Sequence, residues 1–112
     1  MQIDIPEQKR IIKFYGEQAQ TVIFCEECAE LRQAISKNYR ARSFPATFKE
    51  RETARNNLTE EISDVLIIIK QLQELYDISD HDIETIIAQK YKRQEERINA
   101  EIHRRSYGRE ER

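Results

Sequence analysis

Glycine and proline are scarce in this sequence, and their scarcity limits the folds open to it. The 112 residues include two glycines, Gly16 and Gly108, and two prolines, Pro6 and Pro45. A β-sandwich or barrel needs turn residues every ~8–12 positions, which these four residues cannot supply. Glycine-rich phosphate loops are excluded too, because their motifs cannot be built around two isolated glycines. The sequence therefore predicts an all-α protein with long helices.

Apolar spacing places the first predicted helices. Pro6 can open a short helix, Gly16 marks a joint, and a longer helix is predicted from about Glu17 to Asn38. The next stretch, residues 39–57, contains a proline and few apolar side chains. We therefore predict a basic loop there, with room for one or two helical turns.

Capping residues place the later helices. Asn57 with Glu60 three positions on resembles a capping box, which predicts that a helix begins there. Ser79 or Asp80 can cap the last helix, which we expect to continue to about Arg105. Residues 98–112 are set apart as a C-terminal tail, and residues 1–112 are treated as a single helical domain.

Charge alternates in sign along the chain, although the formal total is only −2. Segments 1–35, 36–57, 58–89 and 90–112 carry −2, +4, −7 and +3. The basic 39–57 segment has two readings, a loop that closes over phosphates or a solvated loop. From Lys90 onward five glutamates interleave with the cations, so nucleic acid is not a partner that we expect for this chain.

Membrane and export signals are missing from the sequence. The longest apolar run, Val65–Ile69, is far shorter than the ~20 residues of a membrane span. The first ten residues lack the apolar centre of a secretory signal. Two cysteines, Cys25 and Cys28, are too few for a disulfide scaffold. We expect a cytoplasmic protein with no membrane partner.

An acid pair lies on one helix face where apolar side chains are expected. At about 100° per residue, Glu61 falls among Leu58, Val65 and Ile68, and Asp64 borders this apolar arc. A buried, isolated carboxylate costs several kcal/mol after relaxation. Such acids must be paired with cations, protonated or bound to metal.

The preceding helix repeats this arrangement, with Glu27 among Phe24 and Leu31 and with Glu30 at the border of the arc. Residues three apart on a helix point the same way, so two such pairs on facing helices would gather four carboxylates. Oxygen ligands without histidine favour Mg²⁺, with Mn²⁺ as a substitute, over zinc or di-iron. A structural salt-bridge role for the acids stays open. The predicted metal ligands are Glu27, Glu30, Glu61 and Asp64.

The last helix offers cations on one face. Lys90, Gln94 and Arg97 prolong its apolar stripe and could hold phosphate oxygens, the arginine through its planar fork. In the alternative reading they pair directly with the four acids and close the core.

These residues together resemble the MazG-like, all-α nucleoside triphosphate pyrophosphohydrolase superfamily, whose signature is EExxE followed by ExxD. The first motif is supplied by residues 26–30 (EECAE) and the second by residues 61–64 (EISD). The segment YGEQAQ, residues 15–20, also resembles the family's approach to its first motif. Lys90, Gln94 and Arg97 fall where the family tends to have Lys-x-x-x-Asn-x-x-Arg, with glutamine in place of asparagine. The likeness covers about residues 11–97.

The resemblance implies hydrolysis of a (d)NTP at the α-phosphorus to (d)NMP and pyrophosphate, in house-cleaning of the nucleotide pool. It implies Mg²⁺ on the four acids, with Glu26, Glu27 and Glu61 as catalytic groups. Glu26 would act either as a general base or by supporting the metal ligands without binding the metal itself. Gln20 would contact the nucleobase or sugar of the substrate. Lys90, Gln94 and Arg97 would also bind the substrate.

An oligomer is expected on two grounds. The family pairs helices from two subunits, and a chain this short with sixteen isoleucines can hardly bury its apolar side chains alone. We therefore expect a homodimer or homotetramer whose active site has a four-helix-bundle-like core. The alternative is a non-catalytic, oligomeric interaction or regulatory protein of the same fold.

Overall fold

Three long helices make up the described part of the chain. The computed structural model describes residues 3–110, which form α1 (Lys9–Ser43), α2 (Phe48–Tyr76) and α3 (Asp80–Glu110). No strand occurs in these residues. The predicted all-α class is confirmed.

A kink at Gly16 divides α1 into two helical segments. Gly16 has φ 82° and ψ 165°, a backbone conformation that is outside the helical region and that residues other than glycine rarely adopt. The rest of the helix continues without a break to Ser43. The joint predicted at Gly16 is confirmed.

The connection between α1 and α2 is much shorter than predicted. It consists of four residues, 44–47, in which Pro45 keeps Phe44 extended (φ −115°, ψ 161°) and so ends α1. Thr47 caps α2 through a capping box with Glu50, whose backbone N–H donates to the Thr47 hydroxyl at 3.1 Å.

The predicted basic loop over 39–57 was therefore wrong for all but these four residues, as was the capping box at Asn57. A proline interrupts a helix only locally. The arginine, lysine, glutamate and alanine residues on both sides are good helix formers, so they stay helical without an apolar stripe.

The end of α2 and the start of α3 are formed by adjacent residues. Asp77 ends α2 in the left-handed conformation, with φ 54° and ψ 48°. Ser79 then caps α3 by accepting the Asp82 backbone N–H at 3.1 Å, as one of the two predicted caps would. The helix continues to Glu110, so residues 98–110 of the predicted tail belong to α3. Residues 111 and 112 lie outside the described part.

α1 and α2 pack against each other as a helical hairpin. Among the described residues, the buried apolar side chains are Phe24 and Ala34 of α1 and Ile68 of α2. These three residues lie on the same helix faces as the acid pairs, so the contact that forms the small core also sets the position of the acids.

Buried glutamines extend this contact. Gln20 Nε2 donates to Gln71 Oε1 at 2.8 Å, and Gln71 Nε2 donates to Gln8 Oε1 at 3.0 Å. The Gln8 backbone N–H in turn donates to Glu74 at 2.8 Å. A buried amide without a partner costs about 1–3 kcal/mol, so this chain of bonds fixes the register of α1 against α2.

The chain separates into two compact units, Met1–Asp77 and Ile78–Arg112. The first contains the α1–α2 hairpin and the second contains α3. No helix in the described range is both long and apolar enough to cross a membrane.

The kink at Gly16 gives a test of backbone strain. No atom lies within 4 Å of a Cβ added there, so the cost of Gly16→Ala comes from the positive φ alone. We expect a loss of about 1–3 kcal/mol in the free energy of unfolding, measured in urea. Gly108→Ala is the control, since Gly108 lies in α3 with equally open space. It should be neutral or slightly stabilising, and an equal loss in both variants would contradict this account.

Candidate metal centre

Three acids from two helices converge where α1 packs on α2. Carboxylate oxygens of Glu27, Glu61 and Asp64 all lie within 4.8 Å of one another, and all three residues are half-buried. We call these residues the acid triad. The structure thus brings together three of the four predicted ligands, from the two helices expected to supply them.

Glu30, the fourth predicted ligand, lies next to the acid triad rather than within it. Its residue is exposed at the surface of α1. After burial, its negative charge is the next cause that raises the pKa of both Glu27 and Glu61, and either of them donates to the Glu30 carboxylate when protonated, so Glu30 is close to each.

Burial and crowding favour the protonated form of two of these acids. Burial is the largest cause that raises the pKa of the Glu27 carboxyl, followed by the charges of Glu30, Asp64 and Glu61. The pKa of Glu61 is raised by burial first and then by Glu30, Asp64 and Glu60. The triad is therefore an environment that lacks positive charge.

Two oxygen atoms in the triad have no partner. Oε2 of Glu27 and Oε2 of Glu61 are shielded from solvent, and neither is hydrogen-bonded within the described part of the chain. The ion pair found within residues 3–77 joins Lys70 and Glu74, so it involves no member of the triad. Buried acceptors are nearly always satisfied in folded proteins, which makes these two oxygens candidates for a bound cation.

The donor set determines which cation fits. The triad offers carboxylate oxygens from Glu27, Glu61 and Asp64, without histidine or cysteine. Hard oxygen donors suit Mg²⁺ and Mn²⁺, whereas zinc sites usually include nitrogen or sulfur. The three carboxylates therefore fit Mg²⁺ or Mn²⁺.

A cavity of about 290 Å³ adjoins the triad. Two acids, Glu27 and Asp64, border it together with the amides of Gln20 and Gln71. The other lining residues are Ile11, Tyr15, Ile23, Ile67 and Ile68. The cavity therefore combines an anionic edge, two amides and apolar walls.

Gln20 is placed differently from a freely exposed substrate contact. It is 2% exposed, and its side-chain N–H is already donated to Gln71. The residue nevertheless lines the cavity, so the predicted contact with a base or sugar would have to involve the cavity side of the amide.

The remaining predicted site residues lie outside the triad. Glu26 is exposed on α1. Lys90, Gln94 and Arg97 are exposed on α3, which belongs to the second unit, and their predicted role toward substrate stays a prediction.

Sequence reasoning did not identify Gln71 or Gln8. A signal for Gln71 was available, because it lies seven residues after Asp64 and therefore on the same face of α2. Gln20 lies seven residues before Glu27 and therefore on the same face of α1. No such signal exists for Gln8, because its position depends on the chain that precedes α1.

Known proteins offer no close comparison. No family model, curated protein or solved structure shows significant similarity to this chain.

The crowded triad predicts an unusual response to Glu61→Gln. Because the folded pKa of Glu61 lies above its ordinary value of 4.5, its contribution to stability is present below about that pH. This contribution is lost as the pH rises through the folded pKa. We therefore expect Glu61→Gln to raise the melting temperature at pH 7 in EDTA and to flatten the decline in melting temperature as the pH rises above about 4.5.

Mg²⁺ should reverse that order, because an ion that binds the folded state stabilises it by mass action. Added Mg²⁺ should raise the melting temperature of the wild type, and it should raise that of Glu61→Gln much less. Glu60→Gln, an exposed neighbour on α2, is the control and should keep the gain. A lower melting temperature for Glu61→Gln in EDTA would instead indicate a structural salt bridge.

Proposed function

We propose that this chain is a Mg²⁺-dependent nucleoside triphosphate pyrophosphohydrolase. It would convert a (d)NTP to the (d)NMP and pyrophosphate, as the MazG-like resemblance implies. The observation that carries the proposal is the acid triad, in which two shielded carboxylate oxygens have no hydrogen-bond partner among the described residues. Holding several carboxylates together lowers the stability of the fold unless a bound cation offsets their repulsion.

Glu27, Glu61 and Asp64 would hold the metal, with Glu30 beside them as a further ligand. A divalent cation bound there would neutralise phosphate charge and lower the pKa of a bound water. The contribution of the chain is to fix the carboxylates from two packed helices, so that little reorganisation is needed when substrate arrives. Glu26, on the exposed side of α1, is proposed as an additional acid or base.

The cavity beside the triad is proposed to take the base or sugar. Its volume of about 290 Å³ is just below the ~300–1,000 Å³ typical of small-molecule sites. Its isoleucine walls suit the faces of a nucleobase, and the amides of Gln20 and Gln71 offer hydrogen bonds to polar edges. Lys90, Gln94 and Arg97 are proposed to bind phosphate oxygens.

A homo-oligomer, either dimer or tetramer, is part of the proposal. Phe24, Ala34 and Ile68 are the buried apolar residues of the described chain, while twenty large apolar residues are exposed. An isolated helical hairpin leaves much of its apolar surface in water, and exposure on this scale is typical of an interface. Pairing two hairpins would complete a four-helix core around the triad.

A second function also fits the exposed apolar surface. The chain could be a non-catalytic helical protein that oligomerises or regulates a partner, with its acids serving only structural roles. The shielded, unpartnered oxygens of Glu27 and Glu61 favour the enzyme over this alternative. A cytoplasmic location is proposed with either function, since Cys25 and Cys28 are both free and exposed, as suits a reducing compartment.

Turnover of a nucleotide panel tests the enzyme directly. Purified protein is incubated with each NTP and dNTP plus Mg²⁺, and the products are separated. We expect a monophosphate and pyrophosphate from at least one substrate. Glu61→Gln should lower kcat/KM about 100-fold or more, since the group acts on charge formed in the transition state.

Glu60→Gln is the matched control, because it removes the same charge one residue away and leaves the triad intact. It should retain most activity. Diphosphate and phosphate as products would contradict attack at the α-phosphorus. Turnover of no substrate with either Mg²⁺ or Mn²⁺ would favour the interaction protein.

A further inference from the structure

The end of the hairpin that connects α1 to α2 is strongly basic. Residues 36–57 carry a net charge of +4, and this segment is helical except for the four connecting residues. We call it the basic tip. Its cations are Lys37, Arg40, Arg42, Lys49, Arg51 and Arg55.

Most of the basic tip lies far along the helices from the acid triad of its own chain. At ~1.5 Å per residue, Arg51 is about 15 Å from Glu61 along α2 and Arg42 is about 22 Å from Glu27 along α1, whereas Arg55 is about 9 Å from Glu61. Both helices are regular over these stretches. A flexible loop could have closed over phosphates at the triad, but the rigid helices hold Arg42 and Arg51 away from it. Its charge needs another explanation.

Three arginines of the basic tip surround one cavity of about 340 Å³. Arg42 comes from the last turn of α1, and Arg51 and Arg55 come from successive turns of α2. Glu52 is the one acid among the lining residues, so positive charge predominates. Asn38 and Phe48 complete the lining.

The arginines are mostly free to bind a ligand. Arg51 donates one N–H to the Ala46 carbonyl at 2.6 Å, which fixes its guanidinium at the start of α2. Arg42 and Arg55 have no side-chain hydrogen bond or ion pair to any other residue between positions 3 and 110. Three guanidinium groups that line one cavity with a single carboxylate suit an anion with several oxygens, of which phosphate is the best geometric match.

Exposed aromatic rings lie among these cations. Phe48 is 73% exposed at the cavity, and Tyr39 is 68% exposed in an adjoining cavity of about 430 Å³. The two cavities share Asn38 and Arg42, so they form neighbouring sites along one surface. Aromatic rings beside arginines suit nucleotides, because bases stack on the rings while phosphates bind the guanidinium groups.

We propose that the basic tip binds single-stranded nucleic acid, with phosphates on Arg42, Arg51 and Arg55 and bases on Phe48 and Tyr39. Two adjoining cavities favour consecutive nucleotides of a strand over one free nucleotide, although both present the same chemistry. Arg42, Arg51 and both aromatic rings lie far along the helices from the acid triad, so the site does not depend on the proposed hydrolase activity.

Fluorescence anisotropy with a labelled oligo(dT) 12-mer at low salt tests the proposal, with EDTA present so that the acid triad takes no metal. We expect wild type to bind and Arg42→Gln/Arg55→Gln to weaken binding at least about tenfold. The double variant should also lower the slope of log K against log salt by about 1.4, since each phosphate contact to a single strand contributes about 0.7. Phe48→Leu should weaken binding about five- to tenfold and leave this slope unchanged.

Arg10→Gln/Lys13→Gln is the matched control. It removes the same charge from exposed residues at the other end of α1, and it should retain wild-type affinity. An equal loss in this control would indicate general charge attraction and overturn the site. Absence of oligo(dT) binding by wild type would also overturn it. A free nucleotide that binds the tip as tightly as the 12-mer would assign the site to mononucleotides and overturn the strand. None of these results bears on nucleotide hydrolysis, which is measured separately with metal present.

Discussion

Repulsion between carboxylates at the α1–α2 contact is the constraint on which the rest of this structure depends. Glu27, Glu61 and Asp64 are held within 4.8 Å by helices that pack over a small apolar core. Burial and mutual charge raise the pKa of both glutamates, so the arrangement costs stability whenever they are ionised. A divalent cation is the simplest group that would turn this cost into a gain, and it would satisfy the two shielded Oε2 atoms that have no hydrogen-bond partner among residues 3–110.

The scaffold around the triad offsets that repulsion with directional contacts. Apolar contact is limited to a few side chains, so the buried glutamine chain from Gln20 through Gln71 to Gln8 contributes much of the specificity of the pairing. Amide pairs tolerate little sliding between helices, because a shift leaves buried donors unsatisfied. The same amides border the cavity beside the triad, and this joins the stability of the hairpin to the proposed substrate site.

Helical phase made the triad predictable, and the limits of that signal explain the errors. Glu27, Glu61 and Asp64 could be found because a charge on an apolar face is costly at any position along a helix. The helices within residues 39–57 could not be predicted in this way, because solvated helices rich in arginine and glutamate show no apolar period to detect. The position of Lys90 relative to the triad depends on how α3 is placed, which periodicity within one helix does not specify.

Anomalous diffraction from crystals soaked with Mn²⁺ would test the central claim most directly, because Mn²⁺ accepts the same oxygen ligands as Mg²⁺ and can be located by its own scattering. The account predicts an anomalous peak about 2 Å from carboxylate oxygens of Glu27, Glu61 and Asp64, with the shielded Oε2 atoms among the ligands. A lysine or arginine side chain seated between these carboxylates, with no peak there at saturating Mn²⁺, would contradict it.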